Sequence, residues 1–259
     1  MKLEDFQTKA EITWCPGCTN FGILQAVKEA LFELVSQKKI KKENIVIVTG
    51  IGCHGKIFDY LNLNGFYALH GRVIPTAIGI KLANQKLTVL GFGGDGDTFA
   101  EGISHFVHAC NANFDITLIV HENQTFALTT GQMTPTTEKG FKGPSTPFGK
   151  KTKPLNPISL ALISGASFVA RSFALEKDHL KEILKEAIFH KGFSFVEVLQ
   201  PCITFHNTTE FFKKNIYDLK EREHNFRNFK KALEKSFEWK YSFDKNYKVP
   251  IGVFYKKEF

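Results

Sequence analysis

The sequence predicts an α/β fold: a doubly wound, mainly parallel sheet with helices on both faces. Short apolar strands alternate with helices in which apolar residues recur three and four positions apart. The strands are apolar on both faces, which is typical of a parallel sheet that is covered on each side. With 259 residues, the chain is long enough to bury one large core.

The elements follow one another regularly along the chain. The first helix, NFGILQAVKEALFELVSQ, can be capped by Thr19 or Asn20, and Pro75 stands in the first turn of the second. The predicted strands are NIVIVTG, KLTVLGF, DITLIVH, SFVAR and FSFVEVLQ; the later helices are PTAIGIKLAN, TFAEGISHFVHACNAN, ISLALISGA and DHLKEILKEAIFHK. The alternation ends near residue 208. We therefore interpret 1–207 as one domain and 208–259 as a charged, aromatic-rich extension that docks on the domain or on a partner.

The net charge of +8 is unevenly distributed. Five lysines and no acidic residue fall between Lys139 and Lys153, in the stretch KGFKGPSTPFGKKTKP. This stretch is either a solvated surface or one that attracts an acidic partner. No nucleic-acid motif accompanies the charge, no apolar run is long enough to span a membrane, and the N-terminus lacks a signal core. We therefore expect a cytoplasmic protein that binds neither nucleic acid nor membrane.

Polar or reactive residues follow four of the predicted strands. They stand in GIGCHGK, with Cys53; in GGDGD, with Asp95; in ENQT, with Asn123; and in QPC, with Cys202. Ligands of open α/β sheets bind beyond the carboxyl ends of the strands. The sequence therefore predicts a site where these residues meet.

The stretch GFGGDGDTFAEG admits a dinucleotide interpretation. Gly91, Gly93 and Gly96 match the pattern G-x-G-x-x-G after a strand, and Asp115 stands about where a ribose-binding acid would follow. This interpretation predicts a nicotinamide-dependent dehydrogenase.

The same stretch also matches the thiamine-diphosphate motif, GDG followed by an asparagine. Asp95 and Asp97 crowd the loop with negative charge, which suits a cation that itself binds a diphosphate better than a bare pyrophosphate. Asp95, the Asn123 side-chain oxygen and the Thr125 carbonyl would supply oxygen ligands to Mg²⁺. This interpretation therefore predicts a diphosphate bound through a metal ion.

Several motifs together resemble the β subunits of 2-oxoacid:ferredoxin oxidoreductases. They are WCPGC, GIGCHGK, LHGRVIPTAIGIKLAN, GGDGD, HENQTFALTTGQMTPTT and QPCITF, in family order, with VPIGVFYKK in the extension. The resemblance implies a thiamine-diphosphate-binding fold that holds thiamine diphosphate, Mg²⁺ and one [4Fe–4S] cluster. It also implies oxidative decarboxylation of a 2-oxoacid, 2-oxoglutarate or pyruvate, with coenzyme A to acyl-CoA and CO₂, or the reverse carboxylation. Electrons would pass to ferredoxin.

The resemblance implies that the cluster is bound by Cys15, Cys18, Cys53 and Cys202. A cubane needs four thiolates that converge from separate segments. Zinc in the same thiolates, as in a non-catalytic zinc-binding protein, is the alternative, although zinc sites usually pair two C-x-x-C units. The fifth cysteine, Cys110, has apolar residues at helical spacing, and we expect it to face the core.

Further site residues are implied by matching motif positions. The residues expected in catalysis are Lys56, His70, Arg72, Leu128 and Thr130. Those expected to bind the cofactor are Gly52, Cys53, His54, His70, Gly94, Asp95, Gly96, Asp97, Asn123, Thr125 and Phe126. The chain departs from the family pattern at Thr130, where some relatives carry lysine, at Glu101 and at Asn111.

The chain has sequence for only one sheet, and its GDG motif commits that sheet to the diphosphate. Family cofactors lie between two such domains, the second of which presents a glutamate to the pyrimidine ring. The resemblance therefore implies an α subunit, with two αβ pairs as the assembly. The aromatic residues of the extension are candidates for that contact: Phe211, Phe212, Phe226, Phe229, Trp239 and Tyr241.

Overall fold

A computed structural model describes residues 1–257, so the last two residues of the predicted extension lie outside the described part. The strands are β1 Ile45–Thr49, β2 Asn64–Tyr67, β3 Thr88–Gly94, β4 Thr117–Glu122, β5 Thr125–Phe126, β6 Gln132–Met133, β7 Phe168–Phe173, β8 Ser194–Leu199, β9 Ile216–Asp218 and β10 Val249–Lys256. The helices are α1 Asn20–Ser36, α2 Ile57–Tyr60, α3 Val73–Ala83, α4 Ile103–Ala112, α5 Pro157–Ile163, α6 Lys177–Phe189, α7 Thr209–Asn215 and α8 Phe229–Ser236.

Within residues 1–257, eight strands form one sheet in the order β2-β1-β3-β4-β8-β7-β10-β9. Every neighbouring pair is parallel except β7 and β10, which are antiparallel. Helices α1 and α6 pack on one face, and α3, α4, α5 and α8 pack on the other. The predicted doubly wound, mainly parallel α/β fold is confirmed.

The centre of the sheet explains why the predicted strands have no polar face. Every residue of β4 and of β8 is buried, because helices cover both sides. Cys110 is fully buried in α4, as its helical spacing predicted. Within residues 1–257, no helix has the length and apolarity needed to span a bilayer.

The structure adds four short elements that were not predicted before the extension, β2, α2, β5 and β6, and it alters one predicted helix. Strand β2 was not predicted, because its sequence, NGFY, is short and every residue is exposed at the sheet edge. The helix predicted from Thr98 is interrupted: a π-helical turn covers Asp97–Glu101, and α4 begins after Gly102. A Cβ at Gly102 would lie 3.0 Å from the Gly71 carbonyl oxygen, so the close approach of that loop accompanies the break.

The segment after residue 208 completes the main sheet. Strand β10 pairs with β7, and β9 pairs with β10. The prediction that its aromatic residues face a partner was wrong for Phe212, Trp239 and Tyr241, which are buried inside this chain. Phe226 and Phe229 remain exposed. The physical reason is that β7 would otherwise leave an unpaired apolar edge.

A buried ion pair fastens this segment to the sheet. Arg171 on β7 donates from Nε to Glu197 Oε2 on β8 at 2.5 Å and from Nη2 to the Tyr241 hydroxyl at 2.7 Å. That hydroxyl donates to Glu197 Oε1 at 2.7 Å, and Arg171 also donates to the Pro250 carbonyl. The guanidinium lies over the Trp239 ring. All charged atoms of the pair are thus enclosed and partnered.

We expect Arg171→Met to destabilise the protein by about 3–5 kcal/mol, because it leaves the Glu197 carboxylate buried without its cation. Urea unfolding of the purified protein measures the loss. The double variant Arg171→Met/Glu197→Leu removes both charges and should recover most of it. Equal stability of the single variant and the wild type would contradict the prediction.

Candidate active site

Four neighbouring strands bring the predicted site residues to one edge of the sheet. Strands β1, β3, β4 and β8 are adjacent and parallel. Cys53, Asp95, Asn123 and Cys202 lie in the segments that follow their carboxyl ends. The predicted convergence therefore occurs, and it produces two adjoining cavities.

The first cavity, here called the GDG pocket, has a volume of about 70 Å³. Its lining includes every residue that the sequence suggested for cofactor binding: Gly52, Cys53, His54, His70, Gly94, Asp95, Gly96, Asp97, Asn123, Thr125 and Phe126. Ile51, Ala127, Leu128 and Thr129 complete it.

Asp95 is one of two buried carboxylates that line the GDG pocket. The Thr136 hydroxyl lies 3.0 Å from Asp95 Oδ2 and 2.6 Å from Glu122 Oε1, so one hydroxyl lies between two acids. Burial raises the pKa of Asp95 to about 6, and burial together with Asp95 raises the pKa of Glu122 well above its ordinary value. A divalent cation beside Asp95 would favour its charged form.

Asn123 and Thr125 form a tight turn beside this carboxylate. Asn123 Oδ1 accepts a hydrogen bond from the Thr125 amide at 3.0 Å, and Asn123 Nδ2 donates to Gln200 Oε1 at 3.0 Å. Because Nδ2 donates to Gln200, the other end of the Asn123 side-chain amide is the oxygen. That oxygen retains a lone pair for a metal ion.

A second acid, Asp97, lies between two histidines. Asp97 Oδ1 accepts from the Gly71 amide at 2.7 Å and lies 3.5 Å from His70 Nδ1, while Oδ2 lies 3.7 Å from His54 Nε2. His70 Nδ1, His54 Nε2 and Asp97 Oδ2 are buried atoms without a hydrogen-bond partner among residues 1–257. Such atoms in a pocket wall favour a polar ligand.

Glycines give this pocket its depth. A Cβ on Gly96 would lie 2.3 Å from Phe126 Cε1, and one on Gly52, whose φ is +150°, would lie 2.8 Å from the His54 ring. Side chains there would displace the aromatic wall. Because these glycines lack side chains, only backbone would stand between the pocket wall and a phosphate.

The second cavity, here called the cysteine cavity, has a volume of about 210 Å³ and contains the predicted cluster ligands in its lining. Those ligands are Cys15, Cys18, Cys53 and Cys202. The C-x-x-C pair forms a turn in which the Cys18 amide donates to the Cys15 carbonyl at 3.0 Å, directly before α1. Trp14 Nε1 donates to the Cys53 carbonyl at 2.7 Å, which ties this turn to the segment after β1.

All four thiols contribute to the lining of this one cavity. Among residues 1–257, no three His, Cys, Asp or Glu side chains are close enough to share one metal ion. Burial raises the pKa of Cys18 to about 11 and raises the pKa of Cys53, so both are protonated thiols at neutral pH. Binding a cluster would release these protons. Four thiols on one cavity are the number that a cubane requires, since it binds each thiolate at a different iron.

The two cavities share a wall. Cys53, Asn123, Ala127 and Leu128 line both. Gln200 reinforces the junction: besides the bond from Asn123, its Nε2 donates to the Thr19 hydroxyl at 2.8 Å and lies 4.0 Å from Cys18 Sγ. Groups bound in the two cavities would therefore be neighbours.

Comparisons with known proteins identify the family. Residues 50–198 match the family described as thiamine pyrophosphate enzyme, C-terminal TPP binding domain, and residues 202–259 match the C-terminal family of the pyruvate ferredoxin oxidoreductase beta subunit. The 2-oxoacid:ferredoxin oxidoreductase subunit beta of Saccharolobus solfataricus is 44% identical over 95% of this chain and 82% of its own length. The chain belongs to the β subunits of 2-oxoacid:ferredoxin oxidoreductases.

Two further proteins agree with this assignment. The 2-oxoacid:ferredoxin oxidoreductase 1 subunit beta of Aeropyrum pernix is 42% identical over 96% of this β subunit and 79% of its own length. The solved 2-oxoglutarate:ferredoxin oxidoreductase of Magnetococcus marinus, with 2-oxoglutarate, coenzyme A and succinyl-CoA bound, superimposes with a TM-score of 0.92 at 32% identity. The superposition covers all of this chain and 86% of the solved chain. The protein is thus one subunit of an oxidoreductase that includes an α subunit.

The structure separates the residues suggested for catalysis in this β subunit. His70 lines the GDG pocket, Leu128 lines both cavities, and Lys56 and Thr130 line the cysteine cavity. Lys56 donates to the Thr13 carbonyl at 3.2 Å, and Thr130 has a φ of +74°. Arg72 lines neither cavity: it is exposed and donates to the Gly71 and Glu101 carbonyls.

The dinucleotide interpretation of the glycines is wrong for this β subunit. Gly91 lies inside β3, where a Cβ would meet the Val73 side chain at 2.9 Å. Asp115 precedes β4 and therefore lies at the opposite edge of the sheet, where it pairs with Lys81 at 2.7 Å. It cannot contact a ribose bound at the GDG pocket.

Sequence reasoning missed three residues that support the site: Glu122, Thr136 and Gln200. All three are buried: Thr136 contacts Asp95, Glu122 contacts Thr136, and Gln200 contacts Asn123 and Cys18. Glu122 immediately precedes Asn123, and Gln200 stands in QPC. Their positions next to recognised motifs could have marked both as candidates. Thr136 comes from a distant segment, and only the fold brings it to Asp95.

Proposed function

We propose that this β subunit binds thiamine diphosphate through Mg²⁺ in the GDG pocket and one [4Fe–4S] cluster in the cysteine cavity. With its α subunit it would oxidise a 2-oxoacid such as 2-oxoglutarate or pyruvate, releasing CO₂ and transferring the acyl group to coenzyme A. The two electrons would pass one at a time through the cluster to ferredoxin. In the direction of carboxylation, the same electron transfer would run from ferredoxin to the cluster. The observation that carries this proposal is the wall shared by the two cavities.

The residues of the GDG pocket fit the proposed cofactor. Asp95, Asn123 and the Thr125 carbonyl would bind Mg²⁺, since each offers an oxygen ligand of the kind that this ion prefers. The backbone at Gly94 and Gly96 would approach the diphosphate, because side chains are absent there. The orphaned atoms of His54, His70 and Asp97 provide partners for polar atoms of the ligand.

When bound, thiamine diphosphate supplies the electron sink for decarboxylation and the cluster supplies a one-electron acceptor. His54 and His70, which lie within 3.7 Å of Asp97, would hold the cofactor or exchange protons with it. Leu128, 47% exposed, would cover the reacting centre and exclude water from it. Lys56 is the cation placed to attract a substrate carboxylate, although it now donates to the Thr13 carbonyl.

The experiment that tests the proposal is a compositional analysis of the αβ complex purified without oxygen. We expect iron and sulfide in a four-to-four ratio, a broad visible absorption that bleaches on adding 2-oxoacid and coenzyme A, and bound thiamine diphosphate. Zinc without iron would favour the zinc-binding alternative. A complex without thiamine diphosphate that gains stability with NAD would favour the dehydrogenase.

We predict that this β subunit has no turnover alone. Its eight-stranded sheet would be occupied by the diphosphate, so the pyrimidine half of the site would come from the α subunit. The isolated chain should reduce no viologen dye with 2-oxoacid and coenzyme A, whereas the co-expressed complex should. Full turnover by the isolated chain, with no second subunit present, would contradict this prediction.

A further inference from the structure

The lysine-rich stretch of residues 139–153, here called the basic loop, is an exposed cationic surface. Lys139, Lys142, Lys151 and Lys153 are exposed, and none of them pairs with an acidic side chain within residues 1–257. Phe148 stands among them with 93% of its surface exposed. The loop therefore offers a partner both positive charge and one exposed aromatic ring, the residue type that is enriched in the centres of protein interfaces.

The basic loop is held in one shape. Lys150 is buried, and its ammonium group donates to the Thr137 carbonyl at 2.5 Å and to the Pro135 carbonyl at 3.1 Å. Backbone bonds join Gly140 to Lys150 and Lys150 to Phe141, closing the loop at its base. The exposed lysines therefore project from a preorganised platform, which lowers the entropy cost of binding a partner.

Two chains of contacts connect this platform to the cysteine cavity. The Phe141 ring lies 5.2 Å from the His206 ring, and the His206 amide donates to the Cys202 carbonyl at 3.0 Å. On the second path, Gly131 packs against the Phe205 ring, and the Phe205 amide donates to Cys202 Sγ at 3.4 Å.

The basic loop touches this second path directly. The Ser145 hydroxyl accepts from the Met133 amide at 3.1 Å, and a Cβ on Gly143 would lie 2.8 Å from the Gly131 carbonyl oxygen. The platform is therefore fastened to the segment that packs against the neighbours of Cys202.

The cysteine cavity reaches the surface at Thr204, the residue before Phe205 on the second path. Cys15 and Thr204 are exposed, and the Thr204 hydroxyl lies 3.6 Å from Cys15 Sγ. A cluster bound there would have one corner close to solvent. A protein that rested on the basic loop could bring its own redox centre near that corner.

We propose that the basic loop is the docking surface for the acidic iron–sulfur protein that accepts electrons from this subunit. The inference rests on the proposed function, because it requires a reduced cluster in the cysteine cavity. In each encounter one electron passes from that cluster to the acceptor's own centre; the cluster is oxidised, the acceptor is reduced, and no bond forms. The lysines steer the acidic surface, and Phe148 buries against it.

The test uses the αβ complex with Lys139→Gln/Lys142→Gln/Lys151→Gln/Lys153→Gln. We expect kcat/KM for an acidic ferredoxin to fall about tenfold at low ionic strength, and its decrease with added salt to become shallower. The rate with a saturating viologen dye should stay unchanged, because a small dye needs no docking surface.

A matched control removes the same charge elsewhere. Lys38, Lys41, Lys86 and Lys191 are exposed on segments that precede β1, β3 and β8, at the opposite edge of the sheet. Their fourfold replacement with glutamine should leave ferredoxin kinetics unchanged. Phe148→Ala should raise the KM for ferredoxin while keeping the salt dependence of the wild type.

Several outcomes would overturn the inference. They are unchanged ferredoxin kinetics in the loop variant, an equal loss in the control, a raised KM for coenzyme A in place of ferredoxin, or loss of the α subunit from the complex. Each of these outcomes bears on the docking surface alone, because the wild-type complex still reduces viologen with 2-oxoacid and coenzyme A. A wild type that cannot reduce viologen with 2-oxoacid and coenzyme A would overturn the proposed function itself, and the docking inference with it.

Discussion

The Asp95→Ala complex should lose its thiamine diphosphate. Asp95 is the fully buried carboxylate that the GDG motif directs at the proposed Mg²⁺, and that ion would join the protein to the diphosphate. Changes in the groups around metal ligands commonly cost 10–100-fold in affinity, so removal of a ligand should weaken binding by more than about 100-fold. Thiamine diphosphate released from the purified complex, and calorimetric titration with Mg²⁺ present, measure the loss.

The matched control for this variant is Asp115→Ala. Asp115 is also an acid near the end of an element, but it pairs with Lys81 at the opposite edge of the sheet. Its replacement should leave cofactor affinity unchanged. Asn123→Ala should give an intermediate loss, because it removes one neutral oxygen. Thiamine diphosphate bound normally by the Asp95 variant would show that the carboxylate is not a ligand of the ion.

The Cys202→Ser complex should lose its cluster and, with it, all electron transfer to ferredoxin. Each thiolate of a cubane holds a different iron, so serine at Cys15, Cys18 or Cys53 should also lose or destabilise the cluster. Iron and sulfide content of the complex, and visible absorption of protein prepared without oxygen, report the loss.

The control for the cluster prediction is Cys110→Ser. This thiol is fully buried in α4, within the apolar layer on one face of the sheet and apart from the cysteine cavity. We expect the variant to retain iron, at some cost in stability from the buried hydroxyl. Iron lost from the Cys110 variant and kept by the Cys202 variant would refute the proposed ligand set.

The sequence by itself determined the strands at the centre of the sheet and the residues that follow them. Strands such as β4 and β8 are buried on both faces, so their apolar runs are continuous and easily recognised. Parallel strands also place their following segments at a common edge. Asp95, Asn123, Cys53 and Cys202 could therefore be assigned to one site from their positions in the chain.

Local patterns failed where an element depends on distant contacts. Strand β2 is short and exposed, and β10 lies outside the regular alternation, although its apolar residues fit the free edge of β7. The burial of Trp239 and Tyr241 follows from the Arg171 and Glu197 pair, which two other strands supply. The spacing of these residues along the chain does not predict that their side chains come into contact.

Only the tertiary structure decided how the site is supported and how its two halves adjoin. Thr136 reaches Asp95, and Gln200 reaches Asn123 and Cys18, across separations that the sequence does not encode locally. The fold likewise removed Asp115 from consideration, because it lies at the opposite edge of the sheet, and it left Arg72 outside the lining of both cavities. A motif specifies which atoms a site can offer, whereas packing decides which of those atoms meet and which are buried together.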